Sequence, residues 1–527
     1  MVVLSKNCSR GTFLLGKHCR HFASTTSTQE ICENETKLKT HVTSNIKSFD
    51  EVPGPKGFLG IGTLFSYMTG KYSWDKMHEG CMKKYKKYGS IVRERLLPGR
   101  DASIVFLFDP DDIAKVLNEK GPGLFPCRRS HLALKKYRDD RPDVYNTGGL
   151  LPTNGQEWYD LRSEFQKGLS SPQNVRQFLP LADEVVKEFI NEQRSGFILD
   201  YLNDIERLNL ELVCLMAFDI RLNAFSEEEL SPHSISSRLI EAARISNSLV
   251  LPLDQGLRLW RWFKTTPYKK FHKAQRFMED VAIDLVSQKL TYYHEESQDK
   301  TKSKSLLDSY LQNPNLNLQD IIGMACDLLL AGVDTSSYTT SYALFHLGMN
   351  PEVQAKLYEE AKLILPDIES VIDGTTMNNQ VTYARAVLKE TLRLNPIAIG
   401  VGRILNNDTV LSGYLIPKGT VVVTQTQVAS LLEKNFENPL EFNPERWIRN
   451  KDGTKPDINP YTSLPFGHGP RSCIARRFAE QNIILFLLRL IRKFEVKWTG
   501  NPTMEYSTKL INVPDQPISV ELIERKS

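Results

Sequence analysis

The chain has 527 residues, of which 41% are hydrophobic and 25% are charged, as is typical of a globular protein with a large buried core. Its 67 basic and 63 acidic residues leave a net charge of +4, which is too even to indicate nucleic-acid binding. No apolar run approaches the roughly 18 residues that a transmembrane helix needs, so we predict no microsomal membrane anchor.

The N-terminal segment is basic and rich in Ser and Thr. Its first 29 residues contain four basic side chains and no Asp or Glu. This composition is typical of a mitochondrial transit peptide, although a disordered basic tail is the alternative. We predict a transit peptide over residues 1–22, cleaved after Phe22, because Arg20 stands at the third position before that cut. Residues 23–51 then read as a polar linker.

The folded region is predicted to begin at Val52–Gly57, a stiff Pro/Gly elbow. A helical stretch follows over Trp74–Tyr88, and the apolar segment Ile104–Phe108 is predicted to form a strand. Asp109 stands directly before Pro110 and is predicted to cap another helix. The next segment, residues 121–151, is rich in Pro, Gly and charge, so we predict an irregular loop there.

Helical periodicity then dominates from Gln156 to Arg393. Strand-like segments return at Val421–Val423, Glu495–Trp498 and Ile518–Leu522. The sequence shows no internal repeat, and its notable motifs are spread over the whole chain. We therefore predict one large domain over residues 52–527, mainly α with a small β-rich portion.

One glycine-rich loop, Phe466–Ala475, places a cysteine before a helix-forming run and reads FGHGPRSCIA. Glycines at 467 and 469 allow the backbone to approach a flat cofactor, where a Cβ would collide. Backbone N–H groups and the helix N-terminus are expected to lower the pKa of the Cys473 thiol, as a permanent metal ligand requires. Arg471 is suited to an anionic group such as a haem propionate. The alternative is a buried structural cysteine beside a turn.

This loop resembles the cysteine-ligand loop of the cytochrome P-450 superfamily, aromatic-x-x-Gly-x-Arg-x-Cys-x-Gly. Ala475 stands where that family usually has glycine. The resemblance implies a single cytochrome P-450 fold and a haem b (iron protoporphyrin IX) cofactor. It also implies that Cys473 is the axial ligand of the haem iron, with Phe466 and Ala475 against the haem. A thiolate ligand favours O–O bond cleavage, so monooxygenase chemistry with O2 is expected.

The segment Leu328–Ser337 sets a glycine and an acid–alcohol pair inside an apolar helix. Glycine there costs about 1 kcal/mol relative to alanine, and Asp and Thr compete for backbone hydrogen bonds. We therefore expect a function: Asp334 and Thr335 relay protons to oxygen, while Ala331 and Gly332 leave room for O2. The alternative is a solvated polar helix face. The pair matches the oxygen-binding helix of the same superfamily, which implies a catalytic role.

Glu390 and Arg393 lie one helical turn apart, which by itself describes a common surface pair. About fifty residues later, Arg446 follows Pro and Glu in a Pro- and Asn-rich segment. The two segments resemble the Glu-x-x-Arg and Pro-Glu-Arg elements of the superfamily, which implies that these three residues lock the cysteine loop and retain haem. Trp447 stands where phenylalanine is more usual.

Four residues are candidates for the two haem propionates. Trp158 and Arg162 are spaced i,i+4 on one helix and can face the same carboxylate. Arg403 follows an apolar run that brings its charge beside the haem edge, and Arg471 completes the set. Each arginine has the alternative of being an ordinary surface residue. In the family, residues at the matching positions bind propionates.

Basic residues also flank the cysteine loop and the Glu390 helix, namely Arg385, Lys389, Arg476 and Arg477. Such charges are usually solvated and without a specific partner. Mitochondrial members of the family use corresponding residues to dock an acidic ferredoxin of the adrenodoxin type, which ferredoxin reductase and NADPH supply with electrons. The resemblance therefore implies a ferredoxin, and not a flavoprotein reductase, as the electron donor.

Two segments, Leu249–Leu253 and Leu257–Phe263, mix apolar, aromatic and basic residues between two helices. We expect an interfacial segment that rests on a membrane near a substrate entrance; a connection within the core is the alternative. With the transit peptide, this predicts a peripheral protein on the matrix side of the mitochondrial inner membrane.

The stretches Asp140–Gly155 and Arg162–Ser170 are similar to arthropod ecdysteroid C22-hydroxylases, the disembodied group. This implies hydroxylation of a sterol-derived ecdysone precursor, a lipophilic steroid, at side-chain carbon 22. The expected pocket-lining residues are Asn146–Leu150, Leu329, Ala331, Ile397, Ile399 and Val401. A mitochondrial hydroxylase of another substrate, vitamin-D-like or xenobiotic, is the main alternative. A haem-thiolate isomerase is disfavoured by the acid–alcohol pair, and a non-catalytic haem-binding protein by the basic patch.

Overall fold

The computed structural model describes residues 46–57, 62–96, 103–119, 125–255, 258–296, 305–450 and 452–526. The predicted transit peptide and linker residues up to 45 lie outside the described residues. The linker's last residues already touch the body, because Lys47 forms a β-bridge with Tyr414 and Phe49–Glu51 form a 3-10 helix. Among the described helices, none combines the length and apolar character needed to cross a membrane.

Helices make up most of the described chain. In chain order they are α1 (Leu64–Met68), α2 (Met77–Tyr88), α3 (Pro110–Leu117), α4 (Leu132–Asp139), α5 (Gly155–Leu169), α6 (Pro172–Glu192), α7 (Leu202–Phe218), α8 (Ile235–Asp254), α9 (Thr266–Glu296), α10 (Leu306–Leu311), α11 (Leu318–Met349), α12 (Pro351–Ile364), α13 (Gly374–Asn379), α14 (Tyr383–Leu394), α15 (Thr426–Ala429) and α16 (Arg476–Lys493). The predicted helix over Trp74–Tyr88 is α2, which begins three residues later than expected. Short 3-10 turns connect several of these helices.

The strands are short and form small sheets. They are β1 (Ile91–Arg95), β2 (Ser103–Leu107), β3 (Gly196–Ile198), β4 (Val401–Ile404), β5 (Thr409–Leu411), β6 (Tyr414–Ile416), β7 (Val421–Thr424), β8 (Phe494–Trp498), β9 (Tyr506–Thr508), β10 (Asn512–Pro514) and β11 (Val520–Glu524). The largest sheet has the order β1-β2-β7-β4, in which β2 and β7 are parallel with Ile104 opposite Val421. The other sheets are β3-β11-β8, β5-β6 and β9-β10, all antiparallel.

The central helix is α11. It is apolar over most of its circumference, and such a helix is stable only when neighbours cover it on all sides. It packs against α7, α8, α9, α14 and α16 within one hydrophobic core. A smaller cluster of buried residues lies against the β1-β2-β7-β4 sheet. The mainly α fold with a small β portion is thus confirmed.

Several local predictions are confirmed by this architecture. The segment Ile104–Phe108 coincides with β2 apart from one residue at each end. Asp109 caps α3 through its carboxylate, which accepts hydrogen bonds from the backbone N–H groups of Asp111 (3.0 Å) and Asp112 (3.5 Å). The strands expected near residues 421, 495 and 518 are β7, β8 and β11, each within two residues of its predicted start.

The prediction of an irregular loop over residues 121–151 was wrong, because α4 lies within it. The charged residues of this helix form ion pairs along its exposed face. Lys135 pairs with Asp139 and Lys136 with Asp140, both at i,i+4 spacing. The opposite face buries Leu134 and neighbouring apolar side chains. The high local charge therefore belongs to the exposed face of an amphipathic helix.

Candidate functional site

A cavity of about 220 Å³ lies in the interior of the molecule. It is enclosed by α5, α7, α11, the start of α16 and the cysteine loop. Its lining is mostly apolar, with arginines grouped near the loop. The lining residues are Arg128, Leu150, Leu151, Trp158, Arg162, Asn209, Leu212, Val213, Met216, Met324, Asp327, Leu328, Ala331, Gly332, Thr335, Ser336, Arg471, Ser472, Cys473, Ile474, Ala475, Phe478, Ala479 and Asn482.

Cys473 lies on the wall of this cavity. Its exposed surface faces the cavity, whereas Cys81, Cys214 and Cys326 are buried elsewhere. The loop reverses direction before it, where its backbone N–H donates to the Phe466 carbonyl (2.8 Å). Gly467, at φ +71°, makes this turn possible because L side chains rarely adopt that conformation. The sulfur is thus presented to the cavity.

The thiol pKa of Cys473 is raised overall, although the Ala475 backbone N–H lowers it as the sequence predicts. Burial raises this pKa, and it outweighs the opposing effects of the Ala475 backbone N–H, Arg162 and Arg476. A bound metal cation deprotonates a coordinating thiol directly. The site thus suits a sulfur that becomes a thiolate on binding metal.

A metal at Cys473 would have to bring its remaining ligands with it. Within the described residues, no group of three or more His, Cys, Asp or Glu side chains is arranged to hold a metal ion. Haem supplies four nitrogen ligands of its own and needs one axial ligand from the protein. The lone cysteine in a large, mostly apolar cavity therefore fits haem, and it does not fit a polydentate protein metal site.

Four arginines gather at one side of the cavity: Arg128, Arg162, Arg403 and Arg471. Burial lowers the pKa of each guanidinium, to about 9 for Arg471 and to about 10 for the others. Arg128 and Arg403 add to this effect by lowering the pKa of Arg471 further. Within the described chain these four guanidinium groups bond to carbonyl and amide oxygens and not to carboxylates.

This arginine cluster fits an anionic ligand. Arg471 stacks on the Trp158 ring with its guanidinium carbon 4.2 Å from the ring centroid, and its buried Nη1 has no partner in the described structure. Clustered buried cations repel one another unless an anion offsets them. The two propionates of haem would supply that charge. Arg403 does not line the cavity; it is held behind the loop by the His468 carbonyl (3.4 Å).

Sequence reasoning did not find Arg128. No recognisable motif surrounds it in the sequence. Its guanidinium donates to the Leu151 carbonyl through Nε (2.9 Å) and Nη2 (2.6 Å), which fixes the charge at the cavity. The only signal in the sequence was the pair Arg128–Arg129, and such pairs are also common on ordinary protein surfaces. Folding brings Arg128 to Arg471, 343 positions later in the chain, through a shared contact with Asn154.

The cavity face of α11 presents Ala331, Gly332 and Thr335, as the resemblance implied. Ala331 is exposed in the middle of a largely buried helix, because the cavity lies against it. The Thr335 hydroxyl donates to the Ala331 carbonyl (2.7 Å). Gly332 has a second reason to be glycine, since a Cβ would stand 2.7 Å from Val213 Cγ2 of α7. The helix runs through this segment without a break.

Asp334 faces away from the cavity, toward α8. Its Oδ2 accepts a hydrogen bond from Asn247 Nδ2 (2.8 Å), and its buried Oδ1 has no partner in the described structure. Burial raises the pKa of this carboxyl to about 6, against the opposing effects of the Asn247 hydrogen bond and Arg244. The structure therefore brings Thr335, but not the Asp334 carboxylate, onto the cavity wall.

Asp334→Asn is expected to change how stability depends on pH. The folded-state pKa of Asp334 is raised from 3.8 to about 6, so its protonated form stabilises the fold at low pH and that stability is lost as pH rises through about 6. The loss amounts to roughly 3 kcal/mol. The variant should be more stable than wild type at pH 7 and equal to it near pH 4, as measured by thermal unfolding. Equal pH profiles for the two proteins would contradict this.

Glu390 is the centre of a buried network behind the cysteine loop. It forms a bidentate ion pair with Arg393, both contacts measuring 2.8 Å, and both side chains are fully buried. Arg446 Nε donates to Glu390 Oε1 (2.9 Å), as the resemblance implied. Arg393 also donates to the carbonyls of Ser430, Pro439 and Glu441. The network ties α14 to the segment that precedes the loop.

Trp447 belongs to the same network, which the sequence did not reveal. Its indole Nε1 donates to Glu390 Oε2 (2.8 Å), an interaction that phenylalanine cannot make. Trp447→Phe should therefore lower the free energy of unfolding by about 1–3 kcal/mol, the usual effect of losing a hydrogen bond to a charged group. Urea unfolding of the haem-loaded protein measures this. The control is Trp262→Phe, since Trp262 is 73% exposed; an equal loss in both variants would contradict the assignment.

The predicted partner-docking residues divide into two groups. Burial is the main cause of the lowered pKa of Lys389. The nearby charges of Glu480, Arg476 and Arg385 also act on this pKa. Lys389, Arg476 and Arg477 are exposed. Arg385 is half-buried and bonds the carbonyls of Met377 (2.6 Å) and Val381 (3.1 Å). It thus holds α13 against α14 in addition to adding positive charge.

The predicted substrate-lining and interfacial residues are only partly at the expected places. Leu150 and Ala331 line the cavity, whereas Leu329 and Ile397 are buried in the core around it. The remaining predicted liners, Asn146–Gly149, Ile399 and Val401, are not on its wall. Residues 249–253 form the end of α8, in which Val250 and Leu253 are buried, so this part is a core element. Leu259, Trp262 and Phe263 are exposed, and Leu257 lies outside the described residues.

The comparisons with known proteins agree with this site. The family model Cytochrome P450 matches residues 52–522. Cytochrome P450 302a1, mitochondrial, of Drosophila melanogaster is 49% identical over 91% of this chain and 96% of that protein. Probable cytochrome P450 12b2, mitochondrial, of the same species is 32% identical over 90% of this chain and 89% of that protein. Ecdysone 20-monooxygenase, also from this fly, is 29% identical over 90% and 88%.

These relatives support a mitochondrial location and an oxidoreductase that uses O2 and a ferredoxin-type electron donor. The haem-thiolate site that the cavity and Cys473 suggest is the one that this family shares. The match extends over almost all of the described residues and includes both the cysteine loop and α11. The chain belongs to the cytochrome P450 family of haem-thiolate monooxygenases.

Proposed function

We propose that this protein hydroxylates a sterol-derived ecdysone precursor at side-chain carbon 22, in ecdysteroid synthesis. The observation that carries the proposal is the mostly apolar cavity beside Cys473, whose leucine, valine and methionine lining suits an apolar substrate. The similarity of residues 140–155 and 162–170 to ecdysteroid C22-hydroxylases supports it. So does a relative whose name, Ecdysone 20-monooxygenase, assigns ecdysone chemistry to that protein.

The residues on the cavity wall would hold the cofactor in defined roles. Haem, when bound, supplies the activation of O2 that no amino-acid side chain performs. We assign Cys473 to its iron and Trp158, Arg162 and Arg471 to its propionates, with Arg128 added by the structure. Phe466 and Ala475 support the loop, and Arg403 acts through the His468 carbonyl. The arginines keep the charged edge of the cofactor in place without a competing protein carboxylate.

On the opposite wall we assign Ala331 and Gly332 to the space for O2. Thr335 would hydrogen-bond to O2 in this space, because of the pair Asp334 and Thr335 only Thr335 lines the cavity. Asp334 would store a proton: its pKa of about 6 lies close to the working pH, as efficient proton transfer requires. The Asn247 hydrogen bond holds that carboxyl on the α8 side, one residue from the hydroxyl.

The exposed cations on the cysteine-ligand side form the proposed docking surface for an adrenodoxin-type ferredoxin. Lys389→Glu with Arg477→Glu should weaken ferredoxin binding about tenfold or more at low ionic strength, mainly through the association rate. Surface plasmon resonance at two salt concentrations measures this. Lys270→Glu, a matched reversal on α9, is the control because Lys270 is exposed there. Unchanged ferredoxin affinity in the double variant would contradict the docking surface.

The remaining proposals concern location. Residues 1–22 would act as the transit peptide and residues 23–51 as a linker to a haem-thiolate domain over 52–527. Leu259, Trp262 and Phe263 are exposed beside Arg258 and other basic residues, a composition that suits contact with anionic lipid. We infer peripheral contact with the matrix face of the inner membrane through this segment.

The experiment that tests the substrate is product analysis. The mature protein is reconstituted with ferredoxin, its reductase and NADPH, and given a panel of sterols that includes ecdysone precursors. Mass spectrometry and NMR of the products should show a hydroxyl at carbon 22. Turnover of a different sterol, or hydroxylation at another carbon with no 22-hydroxylated product, would overturn the substrate assignment and leave the family assignment intact.

A further inference from the structure

A buried ion pair lies at the edge of the cavity and joins α4 to α11. Arg138 Nη2 donates to Asp327 Oδ1 (2.8 Å), and both side chains are almost fully buried. Asp327 is itself part of the cavity wall, two helical turns before Thr335. Two charges are rarely buried unless they are paired and hydrogen-bonded, so this arrangement is a built feature of the cavity edge.

The pair also holds the chain segment that follows α4. Arg138 Nη1 donates to the Gly148 carbonyl (3.1 Å), and the Leu150 backbone N–H donates to Asp327 Oδ2 (3.0 Å). Leu150 and Leu151 form part of the cavity wall. The two charges therefore fix the backbone of an irregular segment at the point where its side chains meet the cavity.

Gly149 shows how closely this segment is fitted to the pair. Its φ is +84°, a conformation that L side chains rarely adopt. A Cβ at this position would overlap Arg138 Nη1 and lie 2.8 Å from Asp327 Oδ2. Any larger residue would push the segment off the ion pair and shift the adjoining leucines.

We propose that Arg138 and Asp327 are specificity-determining residues, which position the Leu150–Leu151 wall and so set the shape of ligand that the cavity accepts. The inference rests on the proposed function only in taking this cavity as the ligand site. A hydrogen-bonded ion pair suits this role because its donors and acceptors have fixed directions, whereas apolar packing tolerates small slips. The wall then keeps one position although its backbone is neither helix nor strand.

Asp327→Asn tests the proposal in the haem-loaded full chain, because it keeps the shape and removes the charge. Two probes, 1-butylimidazole and 1-octylimidazole, bind iron through nitrogen and place short and long tails in the cavity. We expect the ratio of their Kd values, read from the Soret shift, to change about tenfold, the effect of misplacing one methylene in an apolar pocket. Amide hydrogen exchange over residues 147–151 should accelerate about tenfold, as the Leu150 hydrogen bond weakens.

Asp183→Asn is the matched control, because Asp183 and Arg489 form another buried ion pair (2.5 Å) that does not line the cavity. Asp183→Asn should lower the free energy of unfolding but leave unchanged both the ratio of the two imidazole Kd values and the amide hydrogen exchange over residues 147–151. Gly149→Ala, which alters no charge, should act as Asp327→Asn does.

An unchanged Kd ratio in both cavity variants, or an equal change in Asp183→Asn, would overturn the proposal. Loss of the holoenzyme in both cavity variants would assign the pair to folding and overturn it as well. The probes require only haem, so these outcomes are independent of whether carbon 22 is the site of hydroxylation.

Discussion

Cys473→Ser should abolish monooxygenase turnover, because serine keeps the shape of the side chain but supplies no thiolate. A thiolate ligand from Cys473 would supply the electron density that favours O–O cleavage at haem. We expect turnover per bound haem to fall at least ~1000-fold, equivalent to about 4 kcal/mol in activation free energy. The measurement is product formation by the reconstituted enzyme, normalised to haem content by the pyridine haemochrome assay.

Cys127→Ser is the control for this variant. Cys127 is half-buried, and its Sγ lies 3.4 Å from the Phe125 carbonyl, off the cavity wall. It is near Arg128 in sequence, so the substitution tests whether any thiol in this region matters. The control should retain turnover within about twofold, because surface-like changes alter stability by at most about 0.5 kcal/mol. Substantial turnover by Cys473→Ser would contradict the assignment of this sulfur as the iron ligand.

Glu390→Gln should destabilise the protein by about 3–5 kcal/mol, because it leaves the buried Arg393 and the nearby Arg446 without their shared counter-charge. That is a large part of the total stability of a typical domain, about 5–15 kcal/mol. We expect little holoenzyme at 37 °C and a clear loss of haem during purification. Thermal unfolding and the haem-to-protein absorbance ratio measure the two effects.

Glu79→Gln removes a different kind of carboxylate and serves as control. Glu79 and Lys83 form an exposed i,i+4 pair at 3.3 Å, which contributes about 0.5 kcal/mol or less. This variant should match wild type in stability and haem content. If Glu390→Gln were equally mild, the network would not be the support of the cysteine loop that we infer.

The parts of the site that lie in contiguous segments were predictable from the sequence. The loop around Cys473, the polar insertion in α11 and the Glu390–Arg393 turn each place their key residues within about ten positions. In these segments, local spacing determines which side chains share a face. The predominance of helix and the positions of β2, β7 and β8 followed for the same reason, since periodicity is a local property.

The parts that depend on long-range packing were not predictable. Arg128 reaches the cavity only because the segment after β2 folds back over the cysteine loop. Asp334 faces α8 because α11 is covered on every side, and no local pattern says which face meets the cavity. The indole of Trp447 stabilises the network through its hydrogen bond to Glu390, which lies 57 residues away in the chain. The raised thiol pKa of Cys473 likewise follows from burial in the whole fold.

The error over residues 121–151 has a similar cause. Lys135, Lys136 and their aspartate partners raised the local charge, which is typical of a loop. The i,i+4 spacing of these charges is also typical of an exposed helix face. The burial of Leu134 and Tyr137 against α8 and α9 stabilises the helix here. Tertiary contact therefore favours a helix where the sequence predicted an irregular loop.

The measurement that tests the central claim most directly is the reduced-CO difference spectrum of the purified wild-type protein. A haem held by the Cys473 thiolate should give the long-wavelength Soret band that is characteristic of thiolate ligation. The Cys473→Ser protein should lack that band while still absorbing as a haem protein. A wild-type spectrum without the thiolate band, in protein that is folded and loaded with haem, would contradict the haem-thiolate site.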